Sequence, residues 1–350
     1  MIVEVERLDA VRAGALQALG HEIDRDNPPR AAVLGDPRRH LAGTLFRIRR
    51  HGHRPAVTEA RPEPSDDRIR DGMGDPRYRG GSGEPLLLLH GAFYTWRAWE
   101  TLLNELKCSF EVLAPTLLGH LDGERLPDGV ATGVGALADG LERELDAAGW
   151  ETAHIAGNSL GGLLALELAQ RGRARSVVAL APGGDRPGSR YGERRIAAIF
   201  TVTRAVARRL LPHVDRLCAS PRGRLLLLSW VCAHPERVGA AQAAHAVRAL
   251  GQCPTYAELK RAMPPAGARA LDRVRCPVLL AWPSKDHVLP FKRYGRAYGE
   301  ALPSAEVCTL HGVGHVPMLD DPAGVAALIR DFATRAAASG VSPAAARQAP

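Results

Sequence analysis

Three residues far apart in the chain have the types and surroundings that nucleophilic catalysis requires. Ser159 stands in Gly157-Asn158-Ser159-Leu160-Gly161, a G-x-S-x-G pattern. The pattern falls where strand character over Thr152–Ala156 gives way to helical spacing over Leu160–Arg171. A sharp turn at that point leaves no room for side chains two positions either side of the serine, which accounts for both glycines. It also lifts the hydroxyl off the sheet and points the Leu160 N–H toward the place where an oxyanion would form. A serine hydroxyl is scarcely ionised at neutral pH and needs a base. His315, in His311-Gly312-Val313-Gly314-His315-Val316-Pro317, is the candidate, with His311 as its rival. Asp286, in Trp282-Pro283-Ser284-Lys285-Asp286-His287, is the carboxylate that would hold the imidazole tautomer, with Asp185 as the alternative acid. The second oxyanion donor is expected in His90-Gly91-Ala92-Phe93-Tyr94 as the backbone N–H of Ala92, or failing that of Phe93. Phe93, Tyr94 and Asn158 are the expected substrate contacts, and His90 is read as a structural loop residue.

These residues can meet only if the elements between them bring them to one edge of a sheet. From Glu84 onward, strands and helices alternate. Pro85–Leu89, Phe110–Ala114, Thr152–Ala156, Ser176–Ala181, Val278–Trp282 and Glu306–Leu310 read as strands. Trp96–Leu106, Gly133–Ala148, Leu160–Arg171, Phe291–Ala301 and Pro322–Ala336 have helical spacing. Such alternation implies a parallel sheet wound by right-handed crossovers. In such a sheet, ligands bind beyond the C-terminal strand ends, where the Ser159, Asp286 and His315 segments all fall. Asp320 and Asp321 read as caps of the last helix ahead of Pro322. Residues 184–272 interrupt the alternation with helices and no buried strand, including an amphipathic stretch over Arg194–Leu211, as expected of a cap above the sheet. Residues 1–83 form a poorly defined N-terminal extension. Leu8–Leu19 could be a short helix there and Thr44–Ile48 a strand, and Pro55–Gly83 reads as exposed loop. Residues 337–350 read as a frayed tail.

The chain carries a net charge of +8, unevenly distributed. Between Asp185 and Arg275 there are 16 Arg and 1 Lys against 6 acidic residues, leaving the rest of the chain at −3. The excess is first of all a solvated basic surface. Its sharper reading is attraction to an anionic acyl substrate or a membrane surface. Basic residues are not interleaved with aromatics, so no nucleic-acid module is indicated. The six cysteines, Cys108, Cys218, Cys232, Cys253, Cys276 and Cys308, show no C-x-x-C pair and no spacing suited to zinc, so neither metal nor cofactor is expected. The first residues lack a basic n-region and an apolar h-region, and no apolar run is long enough to span a membrane. The expected address is the cytoplasm.

Leu86-Leu87-Leu88-Leu89-His90-Gly91, Ala114-Pro115-Thr116-Leu117-Leu118-Gly119-His120, Gly157-Asn158-Ser159-Leu160-Gly161-Gly162 and Gly314-His315-Val316-Pro317 together resemble the α/β-hydrolase fold superfamily. The resemblance covers roughly Glu84 to Phe332 without the insertion. It implies an eight-stranded, mostly parallel sheet whose first two strands form an antiparallel edge before Glu84. Haloalkane dehalogenases and epoxide hydrolases of this superfamily carry an aspartate at the position of Ser159, which argues against both. Carbon–carbon bond hydrolases of ring-cleavage pathways share a similar Gly-Asn-Ser-x-Gly-Gly elbow, but usually with a glycine-rich, Pro-containing run where this chain has Ala92-Phe93-Tyr94. Cofactor-free haloperoxidase-like esterases share the same three residue types. The leading expectation is hydrolysis of a small or medium carboxylic ester, thioester or lactone through an acyl-enzyme. The alternatives are carbon–carbon cleavage and a non-catalytic binding protein.

Overall fold

A computed structural model describes residues 75–126, 133–184, 190–262 and 271–339. The chain first forms β1 (Arg77–Gly81) and β2 (Glu84–Leu89), then a 3-10 turn over Trp96–Trp99 that runs into helix α1 (Glu100–Leu106). After β3 (Phe110–Pro115) come α2 (Val134–Ala147), β4 (Ala153–Asn158), α3 (Leu160–Gln170) and β5 (Ala174–Leu180). Five helices follow without a strand among the described residues: α4 (Arg190–Leu210), α5 (Val214–Ala219), α6 (Pro221–Leu228), α7 (Ala240–Gln252) and α8 (Tyr256–Ala262). The sheet resumes with β6 (Val278–Pro283), then α9 (Gly295–Ala301), β7 (Glu306–Leu310), the single turn α10 (Pro317–Asp320) and α11 (Pro322–Ala338).

The seven strands form one sheet in the order β1-β3-β2-β4-β5-β6-β7. Every neighbouring pair is parallel except β1 with β3. The central strands are apolar at consecutive positions because helices cover both faces. Leu86, Leu87, Leu88 and Leu89 of β2 are all at most 1% exposed, each burial being worth roughly 2 kcal/mol. The outer strand β7 is half-exposed by contrast.

The sheet has seven strands among the described residues where eight were expected, and one antiparallel edge strand where two were. That edge strand, β1, lies inside a stretch read from sequence as exposed loop, so the core begins at least at Arg77. Its sequence, Arg-Tyr-Arg-Gly-Gly, has no apolar alternation to betray it. Charge suits an edge, where it discourages pairing with another chain. Arg79 pairs with Glu111 of β3, and Arg77 with Glu144 of α2, both at 2.7 Å. The helix expected from Phe291 begins only at Gly295, since Pro290 opens turns instead: its carbonyl accepts from Arg293 and Tyr294. The last helix runs on to Ala338, past the point where a tail was expected. Leu8–Leu19, Thr44–Ile48 and Asp185 lie outside the described residues. No helix among those described is long and apolar enough to cross a membrane.

Candidate active site

The turn from β4 into α3 holds Ser159 at φ 53° and ψ −114°, a left-handed conformation that side-chain-bearing residues rarely adopt. Its backbone is pinned on three sides. The Ser159 N–H donates to Leu180 O at 2.9 Å, and Ser159 O accepts from Gly183 at 2.7 Å and Leu163 at 3.1 Å. The flanking glycines are demanded by close approach. A Cβ on Gly161 would stand 2.1 Å from the Leu89 carbonyl oxygen, and one on Gly157 2.2 Å from that of Gly161. The next strand end closes in as well, for a Cβ on Gly91 would meet that of Ser159 at 3.4 Å. Among the described residues, the Ala92 and Leu160 N–H groups have no acceptor, and Leu160 opens α3, where the helix dipole favours negative charge.

Asp286 follows β6 and His315 follows β7, so both sit at the same sheet edge as the Ser159 turn. His315 Nδ1 lies 2.8 Å from Asp286 Oδ2, and both side chains are buried. Since a carboxylate only accepts, Nδ1 carries the proton and Nε2 is left as the basic nitrogen. The other Asp286 oxygen accepts the Val288 and Leu289 amides at 2.8 and 2.7 Å. The two loops are also stitched together, Lys285 N–H donating to Val313 O at 3.0 Å and Gly312 N–H to Ser284 Oγ at 2.9 Å. The rival His311 is exposed at the end of β7.

Asn158 ties these pieces to the serine. Its Nδ2 donates to the His315 carbonyl at 2.9 Å and to that of Leu180 at 3.2 Å. Asn158, expected as a substrate contact, is 1% exposed; its Nδ2 is used by main chain, while its Oδ1 has no hydrogen-bond partner among the described residues. Phe93, at φ 64°, is 1% exposed and packs against His120, Phe200 of α4 and Tyr256 of α8, so the helical insertion meets the β2 loop there. Tyr94 is partly buried beside it, its hydroxyl pushed well above its ordinary pKa by burial and then by Cys232 and Asp320.

The histidines around this edge are scaffold. His90 Nε2 accepts the Leu117 amide at 2.9 Å and its Nδ1 lies 2.8 Å from Gly91 O, fixing the neutral tautomer. Burial, then the neighbouring His120, holds its pKa well below normal. Burial likewise lowers His120 to about 4. All six cysteines are unpaired. Among the described residues, no three His, Cys, Asp or Glu side chains are placed to hold a metal ion.

Sequence reasoning missed two contributors. Asp321 does cap α11 through the Gly324 amide at 3.0 Å, but Asp320 accepts amides from two other segments. Arg195 of α4 donates to the carbonyls of His287 and Val288, just beyond Asp286.

Known proteins share this arrangement of elements. Over 200 residues the chain is 36% identical to epoxide hydrolase EphH of Mycobacterium tuberculosis, covering 56% of this chain and 92% of that protein. A thermophilic esterase from Thermogutta terrifontis superposes with a TM-score of 0.57 at 21% identity, covering 74% of this chain and 93% of that one. The meta-cleavage product hydrolase CumD from Pseudomonas fluorescens does so with a TM-score of 0.59, also at 21% identity, covering 74% and 94%. At that identity the two structures speak for the fold alone. Residues 86–328 match the alpha/beta hydrolase family as a whole. With the parallel sheet, the strained serine turn and this match together, the chain belongs to the alpha/beta hydrolase family.

Proposed function

We propose that this hydrolase cleaves a carboxylic ester, thioester or lactone of a small or medium acyl group, with Ser159 as nucleophile. The observation that carries the reading is the strained Ser159 turn roped, through Asn158, to the buried His315–Asp286 pair. Ser159 Oγ attacks the acyl carbon while His315 Nε2 takes the hydroxyl proton. Asp286 stabilises the imidazolium through Nδ1–H, and the tetrahedral oxyanion is held by the Ala92 and Leu160 amides. Collapse expels the alcohol or thiol, which receives the proton from His315. Water, activated by the same imidazole, then releases the acid and restores Ser159. The helices of residues 184–272 act as a cap over this edge.

Epoxide opening is the second reading, because the relative from M. tuberculosis bears that name. Attack by Ser159 on an epoxide carbon would leave an ether, which water cannot release as it releases an acyl ester. Epoxide turnover would therefore need water itself as nucleophile and would survive loss of the serine hydroxyl.

Intact mass after treatment with a fluorophosphonate tests both readings, with Ser159→Ala alongside and a panel of esters, thioesters, lactones and epoxides. One adduct on the native protein, none on the variant, and ester turnover lost with the hydroxyl are the expected results. Epoxide turnover persisting in Ser159→Ala would replace the ester reading with the second one.

A further inference from the structure

One buried carboxylate lies against the site without being one of the three proposed reacting groups. Asp320 is 8% exposed, and its oxygens accept three backbone amides, Gly314 at 2.7 Å, Ala233 at 2.8 Å and His234 at 2.7 Å. Hydrogen bonds to an ionised acceptor are about twice as strong as neutral ones. Gly314 directly precedes His315. Ala233 and His234 belong to the helical insertion, 87 and 86 residues away along the chain. Its hydrogen-bond partners are main-chain amides rather than a basic side chain.

The surrounding backbone reinforces the joint. The Val316 N–H donates to Val231 O at 3.0 Å. Gly314 lies so close to the insertion that a Cβ there would stand 2.6 Å from the Val231 carbonyl oxygen and 2.9 Å from the Ala233 nitrogen. His315 is thus bracketed by Val316, which bonds across to the insertion, and by Gly314, which packs against it and shares the Asp320 carboxylate with Ala233 and His234. The acid loop has a counterpart in Arg195, whose guanidinium holds the Val288 carbonyl at 3.1 Å and that of His287.

We propose that Asp320 is a positioning residue that fastens the His315 loop to the helical insertion, aligning the imidazole on Asp286 only while the insertion is docked. The assignment of a catalytic purpose to this alignment rests on the serine-hydrolase reading above. Asp320 touches no reacting atom. Removing it leaves three amides without their acceptor and frees residues 314–316 to shift, and a displacement of about 1 Å at a catalytic group costs roughly a hundredfold in rate.

The test compares Asp320→Ala and Asp320→Asn with the native protein by three readouts. The first is the low-field proton resonance of the His315–Asp286 hydrogen bond, the second hydrogen exchange at Gly314, Ala233 and His234, and the third the rate of fluorophosphonate labelling of Ser159. In Asp320→Ala the low-field resonance should broaden or vanish, the three amides should exchange at least about tenfold faster, and labelling should slow by roughly a hundredfold with the circular dichroism unchanged. Asp320→Asn, which keeps one acceptor oxygen, should fall between, and carries the test alone if the alanine variant does not fold. Faster exchange with native resonance and native labelling would overturn the proposal, leaving Asp320 a structural stitch. Should the native protein not label at all, the serine reading fails by itself, and the resonance and exchange still decide whether Asp320 aligns His315.

Discussion

Among the described residues, two sets of serine, histidine and carboxylate lie one at each end of the parallel strands. At the C-terminal edge are Ser159, His315 and Asp286. Toward the N-terminal edge, His154 Nε2 lies 2.7 Å from Glu84 Oε2 and its Nδ1 2.8 Å from Ser176 Oγ. As a chain of hydrogen bonds the second set is complete, yet its backbone is wrong for chemistry. Ser176 sits within β5, opposite His154 and next to a shift in the β4–β5 register, and is 1% exposed. The amide that follows it, that of Val177, already donates to Pro277 O at 2.9 Å. Ser159 instead stands on a strained turn at a helix start, near the Ala92 and Leu160 N–H groups, which have no acceptor among the described residues. Residue types alone do not make a nucleophile. What sets the proposed nucleophile apart is its placement at the edge where the strands end.

The sharpest way to break this comparison is to exchange the two serines' fates. Ser159→Ala should lower kcat on a responsive ester by about 10⁴-fold or more, whereas Ser176→Ala should leave it within about twofold. Comparable losses in the two variants would dismiss the contrast. The acids come next: Asp286→Asn should cost about 10³–10⁴ in kcat by misplacing the imidazole proton, while Glu84→Gln, half-exposed, should barely register. Backbone strain is probed by Gly161→Ala, whose Cβ has only 2.1 Å to the Leu89 carbonyl oxygen. A drop of about 3 kcal/mol in urea-unfolding stability is expected, against less than about 1 kcal/mol for Gly239→Ser, where φ is −57° and an added Cβ meets open space.

Acid should distinguish the buried histidines. His120 is lowered to about 4 by burial, and His154 is lowered by burial against the opposing pull of Glu84. A histidine with a depressed folded pKa binds fewer protons folded than unfolded. Its contribution is present above the unfolded pKa of about 6.5 and is lost as pH falls from there toward the folded value. For His120 that amounts to roughly 3 kcal/mol between pH 6.5 and 4, read as a falling urea midpoint. His120→Phe should flatten that slope while leaving Ser159 labelling at pH 7 nearly unchanged.

Much of this fold was legible because its signals are local. Five of the six strands read from sequence are bounded within two residues of their observed ends, and Glu306–Leu310 matches outright. β1 escaped because an edge strand exposes one side and takes charged residues, which removes the apolar alternation that marks a strand. The main-chain bonds of Asn158 were not legible, because nothing local says that its amide points to the Leu180 and His315 carbonyls. Asp320 escaped for a related reason. Its partners lie more than 80 residues away and are backbone amides, which leave no trace in residue identity.

By itself the sequence determined that a serine would stand on a glycine-flanked strand-to-helix turn, and in what order the strands would come. Both follow from short-range constraints, namely steric room around Gly157 and Gly161 and the continuous burial of runs such as Leu86–Leu89. Only the tertiary structure decided which histidine meets which carboxylate. His315 finds Asp286 because β6 and β7 pair side by side, and His154 finds Glu84 because β2 and β4, separated in the chain by β3, are neighbours in the sheet; a hydrogen bond is satisfied by distance and direction rather than by sequence separation.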